Sequence, residues 1–174
     1  MIHKYLLPGK ATLLRDFIFA ADDGLLTTFA VVAGSTGASF SKSIILTLGF
    51  ANVFADGIIV ATGIYLGIKG ELESIRRGDC LQKSEGAPLG HGLITFISFV
   101  LFGLLPLLPF LFLQKDEFMF STVIVALGLF SIGALKTIYT QKNLLRSGLT
   151  MLIIGGISAI MAFLVGFLSD KYVV

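Results

Sequence analysis

Two adjacent carboxylates, Asp22 and Asp23, stand in the stretch FIFAADDGLLTTFAVVAGSTGAS (17–39), which is otherwise apolar. A third, Asp56, stands in ANVFADGIIVATGIYLG (51–67). A carboxylate at membrane depth costs several kcal/mol unless it faces a partner, a wet cavity or a bound cation, so acids in such stretches read as functional. Like charges at close range favour a shared proton, and a divalent cation displaces that proton. Acids of this kind, brought together, make a site that holds either a metal ion or a proton, which is the chemistry of ion-driven exchange.

Helical spacing sorts these residues. Asp23, Thr27, Ala30, Gly34 and Gly37 recur at steps of three and four and so form one stripe. Gly49, Asn52, Asp56, Val60 and Gly63 form another. Both stripes are small and polar, and are expected to face protein rather than lipid. Asn52 lies one turn from Asp56, in position to hydrogen-bond its carboxylate and hold its rotamer. Counted along the expected spans, Asp23 lies about 10 Å in and Asp56 about 18 Å in, both well inside the hydrocarbon core. Asp22 projects about 100° away from Asp23 and reads as a hydrogen bond to a neighbouring helix. Glu71 and Glu73 follow the second stretch, where they either collect metal at the mouth or belong to a solvated connector. The candidate metal ligands are therefore Asp23, Asp56, Asn52, Glu71 and Glu73, with Asp23 also carrying the proton.

Composition dictates what must position them. With 174 residues, 55% hydrophobic and 14% charged, the chain is too apolar for a soluble domain. Hydropathy gives an all-α, polytopic membrane protein with five transmembrane helices, at about 17–39, 43–68, 92–113, 118–136 and 147–169, in one membrane domain over residues 1–174. Only the segment 69–90 is a substantial loop. Lys4, Lys10, Arg15, Lys69, Arg76, Arg77, Lys83, Lys136, Lys142 and Arg146 then fall on one side, ten cations against Lys42, Lys115 and Lys171 on the other. The positive-inside rule places the N-terminus and that loop in the cytoplasm and the C-terminus outside. The compact chain, with no targeting extension, reads as a prokaryotic plasma-membrane protein.

Other features have plainer readings. Gly148, Gly155, Ala159, Ala162 and Gly166 give the fifth span a small face for scaffold packing. Met119, Met151 and Met161 read as packing residues rather than soft ligands. Pro106 and Pro109 are expected to kink or end the third span, and His91 to be a solvated interfacial residue. A single cysteine, Cys80, excludes an intramolecular disulfide and any multi-cysteine metal cluster. No HExxH, GxSxG or P-loop pattern occurs, so no enzyme is expected, nor a cofactor, nor a nucleic-acid partner.

Taken together, RDFIFAADDGLLTTFAVVAG, ANVFADGIIVATGIYLGIKGE, GHGLITFISFVLFGLLPLLPF and GALKTIYTQKNLLRSGLTMLIIGGISAIMAFLVG resemble, in order, the helices of the vacuolar iron transporter family. The resemblance implies a five-helix, N-inside homodimer in the lipid bilayer that moves ferrous iron and related divalent ions, such as manganese, against protons along the dimer axis. It puts Asp23 on the pathway aspartate, Asp56 on the second-helix acid and Glu71 on the acid that follows the lysine. The chain departs from the family's pattern at Val60, where a methionine is usual, and at Ile64, where a glutamate or asparagine is usual. It also lacks the long glutamate-rich helical insertion between helices two and three. A non-transporting membrane scaffold or accessory subunit of the same fold is the alternative.

Overall fold

The structure is a computed structural model that describes residues 8–77, 87–137 and 143–172. His3, Lys4, Cys80, Lys83 and Lys142 lie outside the described residues. Helices account for almost all of the rest: α1 Pro8–Gly37, α2 Lys42–Arg77, α3 Pro88–Gly103, α4 Leu108–Phe112, α5 Glu117–Leu135 and α6 Leu144–Tyr172. With α3 and α4 taken as one interrupted span over Pro88–Phe112, five helices among the described residues are long and apolar enough to cross a membrane. The chain is a multi-pass membrane protein.

Helix ends follow local chemistry. Proline opens α1 and α3, where its missing N–H costs nothing. Left-handed residues, Ser39 and Asp116, sit in the short turns before α2 and α5. Pro106 and Pro109 break the third span, with a 3-10 turn at Leu105–Leu107 between α3 and α4. The carbonyl of Pro106 is satisfied across helices, because the buried hydroxyl of Ser121 on α5 donates to it at 2.8 Å. The Lys42 ammonium donates to the Leu113 carbonyl and lies 3.4 Å from Glu117, joining the two tight turns at this end of the bundle.

α1 is the central helix, packed most extensively on α3 and α6 and also touching α2 and α5. Several of its contacts are backbone to backbone. A Cβ on Gly24 would meet the Phe99 carbonyl oxygen of α3 at 2.4 Å, and one on Gly166 of α6 would meet the Gly34 carbonyl oxygen at 1.9 Å. Ala162 and Gly166 are four residues apart on α6, the small-xxx-small spacing that lets helices approach closely in lipid. The small face of α6 therefore serves the scaffold, as its sequence implies. The opposite faces of α2, α5 and α6 expose Leu66, Ile59, Leu127, Ile153 and Ile157, the side chains a bilayer would cover.

The register of α1, α2 and α3 locates the acids. Gly24 and Gly57 both pack on Phe99, while Gly103 meets Thr28 and Val53, and Gly49 meets Leu107. α1 and α3 thus run the same way, with α2 antiparallel against α3. At about 1.5 Å per residue, the 36 residues of α2 extend about 54 Å, well beyond a hydrocarbon core of about 30 Å. The segment expected to begin a loop at Lys69 is instead helix as far as Arg77.

Candidate functional site

Each of Asp23 and Asp56 directly precedes a glycine that packs on Phe99, so the two Asp-Gly pairs sit at one level. The expected difference in depth, 10 against 18 Å, does not appear in this register, because the contacts with Phe99 set the level of each acid and its distance from its own helix end does not. Both carboxylates are partly exposed, and the negative charge of Asp56 acts on Asp23. The Thr27 hydroxyl donates to the Asp23 carbonyl at 2.9 Å, a bond to its own helix that leaves the Asp23 carboxylate unengaged by it.

Asn52 does not behave as its spacing implies. Its Nδ2 is buried and has no hydrogen-bond partner, so the amide does not hold the Asp56 carboxylate. One turn of helix makes such a bond possible, but the rotamers here do not make it. Asp22 Oδ1 is likewise buried and unpartnered, with Lys136 attracting the carboxylate and Asp23 repelling it. The side chain lines a cavity of about 320 Å³ together with Arg15, Asp16, Ile64, Lys136 and Met151. The expected hydrogen bond from Asp22 to a neighbouring helix is therefore missing from its Oδ1.

Glu71 and Glu73 are exposed on the far end of α2, fifteen and seventeen residues beyond Asp56, or about 22 to 26 Å along the axis. Two residues apart on a helix, they project about 200° from each other and cannot clasp one ion between them. Among the described residues, no three His, Cys, Asp or Glu side chains gather closely enough to hold a metal ion. Of the five candidate ligands, one chain brings only Asp23 and Asp56 to a common level.

A buried cluster escaped sequence reasoning altogether. His91, expected at a solvated interface, is 2% exposed, and its Nδ1 lies 2.6 Å from Asp16 Oδ2. Arg15 donates from Nε and Nη2 to the other oxygen, Asp16 Oδ1, at 3.2 and 3.1 Å. The correction has a physical cause: α3 starts at Pro88, so His91 lies within the bundle, and α1 starts at Pro8, so Asp16 is two turns inside a helix. The only sequence signal was an Arg-Asp pair entering the first apolar run.

These features define a class, a five-helix membrane protein whose first two helices bring two carboxylates to one level. A sequence model described as the VIT family matches residues 14–79 and 75–167, so the chain belongs to the VIT family. It is 28% identical to a vacuolar iron transporter of Centaurea cyanus, with 86% of this chain and 85% of that protein covered. It is 27% identical to vacuolar iron transporter 1 of Arabidopsis thaliana, covering 87% and 84%. Against the vacuolar iron transporter of Toxoplasma gondii, it is 25% identical, covering 89% and 74%. The names of these relatives are vacuolar and lend no support to the expected prokaryotic plasma membrane. The 208 positions aligned with the Centaurea protein exceed the 174 residues of this chain, so that protein has residues with no counterpart here. The family match itself divides at residues 75–79, where α2 gives way to the connection with α3.

Proposed function

We propose that this protein carries a divalent metal ion, ferrous iron or manganese, across a membrane in exchange for protons, along a path lined by Asp23 and Asp56 at the axis of a homodimer. The observation that supports this reading most is the common level of the two Asp-Gly pairs. Glycine at position 24 lets α1 close on the Phe99 backbone, Gly57 of α2 packs against the ring of the same residue, and each preceding aspartate is then presented at that level. The relatives' names supply the metal. The dimer is argued from what one chain leaves uncovered: a Cβ on Gly63 would meet nothing within 4 Å, and Asp56 and Asn52 on the same stripe are partly exposed. A second copy covering this stripe would remove carboxylates from lipid and double the number of oxygens facing the path. In this reading the N-terminus is cytoplasmic, and Asp23 exchanges its proton for the ion.

A scaffold without transport is the alternative, favoured by the apolar side chains of Val60 and Ile64. Uptake of ferrous iron, manganese, cobalt and zinc by proteoliposomes, with a pH dye inside, separates the two. Asp23→Asn keeps size and hydrogen bonding but removes the charge that attracts a dication, so flux and proton movement should both be lost in a folded protein. Asp56→Asn should reduce flux in part and Asp22→Asn least. A folded, fully active Asp23→Asn protein, or a wild type inert toward all four metals, would end the transport reading.

A further inference from the structure

The Arg15–Asp16–His91 cluster plays no part in the exchange described above, yet its geometry is that of a proton-binding site. His91 and Asp16 face each other at 2.6 Å with both side chains 3% exposed. A carboxylate against Nδ1 favours a proton on that nitrogen, leaving the imidazole either neutral, with Nδ1–H donating, or a cation. Arg15 compensates Asp16 in both states. The cluster therefore passes from net zero to net +1 by taking one proton, with no buried carboxylate left unpaired at either end. In the proton-bound state, both donors to Asp16 are charged.

Access and leverage are both present. The Arg15 side chain is 62% exposed, and Arg15 and Asp16, though not His91, line the cavity of about 320 Å³, so a space that reaches the surface meets the cluster at its Asp16 end. Among the described residues, the other charged or titratable groups that line the cavity or pack on this part of α3 are Asp22 on α1, Tyr65 on α2 beside Gly92, and Lys136 at the end of α5, while α6 presents Met151 to the cavity. Asp16 precedes Asp23 by seven residues on α1, and His91 precedes Phe99 by eight on α3. The pair thus joins, about 12 Å away, the same two helices whose contact at Gly24 and Phe99 positions Asp23.

We propose that Asp16 and His91 form a proton-binding site separate from Asp23, reached from the cavity at the N-terminal end of the bundle, whose occupancy sets how the protein responds to pH on that side. The consequence for flux rests on the transport reading; the site itself does not. The chain has two histidines, His3 and His91, so imidazole nitrogen NMR of histidine-labelled wild type in detergent micelles resolves the site, with His91→Asn identifying its signal. Asparagine keeps a hydrogen-bond donor near the place of Nδ1 and removes the titration. Followed across the pH range in which the protein stays folded, the His91 signal should report a proton on Nδ1 throughout and a second proton gained on Nε2 as the pH falls. That titration should move in Asp16→Asn. In proteoliposomes, one proton changes flux by at most about tenfold per pH unit, so His91→Asn should lose up to that much of the wild-type dependence on the pH of the cavity side while keeping the part that exchange at Asp23 carries. A His91 signal that does not change charge over that pH range overturns the site whether or not any metal is carried. A folded His91→Asn protein with the wild-type pH profile overturns its coupling to flux.

Discussion

Gly24→Ala tests the contact on which the placement of Asp23 depends. The added Cβ would lie 2.4 Å from the Phe99 carbonyl oxygen and 3.1 Å from its carbonyl carbon and Cα, all backbone atoms with no rotamer to yield. Restoring an ordinary separation requires α1 and α3 to part by about 1 Å, and overpacking of this kind costs roughly 1–3 kcal/mol. At about 2–4 °C per kcal/mol for a chain of this size, the melting temperature in detergent should fall by roughly 2–12 °C. Gly70→Ala is the control, since a Cβ there meets nothing within 4 Å and alanine favours the helix by up to about 1 kcal/mol. Because the displacement falls beside Asp23, metal flux at a temperature where both proteins are folded should drop well below that of the control. Intramolecular spin-label distances between α1 and α3 would record the separation directly. A Gly24→Ala protein as stable as wild type, with an unchanged interhelical distance, would refute the close approach and with it the level placement of the two aspartates.

Three further outcomes are expected. Ser121→Ala should cost about 1–3 kcal/mol by thermal or chemical denaturation, because the buried Pro106 carbonyl loses its donor in a span already broken by two prolines. Replacing Glu71 and Glu73 together with Gln should leave maximal flux near wild type; the exposed, divergent placement of the two side chains allows at most a weak change in apparent affinity, so loss of flux would contradict it. Single cysteines at positions 84 and 171, in a Cys80→Ala background, should label from opposite sides of the membrane, and labelling of both from one side would refute an odd number of crossings.

The fold was legible in the sequence because its dominant signal is local. Runs of about twenty apolar residues and the segregation of lysine and arginine need no knowledge of tertiary contacts. Helix ends beyond the apolar runs were not legible, since Lys69–Arg77 is charged and continues α2 only because the helix is already nucleated. The Pro106 and Pro109 interruption was visible as a break, but its repair by Ser121, fifteen residues away on another helix, was not. The same holds for Asp16 and His91, which are 75 residues apart and meet only once α1 and α3 have packed in parallel.

Site residues were legible as types and less so as an arrangement. An aspartate followed by glycine occurs in both stripes, and its meaning lies in the glycine as much as in the acid. Any side chain at 24 would collide with the Phe99 backbone, whereas at 57 a Cβ would make an ordinary contact with the Phe96 and Phe99 rings at 3.4 Å. The close approach at Gly24 thus sets the level of α1 on α3, and the neighbouring carboxylate inherits it while turning about 100° out of the contact. That turn leaves Asp23 and Asp56 on faces that the chain's own core does not bury. Carboxylates left there in a bilayer are expensive unless something polar or charged completes the site. Among the described residues, no third His, Cys, Asp or Glu joins them to hold a metal ion. In the dimer proposed above, a second copy would bring the same two acids to the uncovered stripe, which supplies both the missing oxygens and the cover that the carboxylates need in lipid.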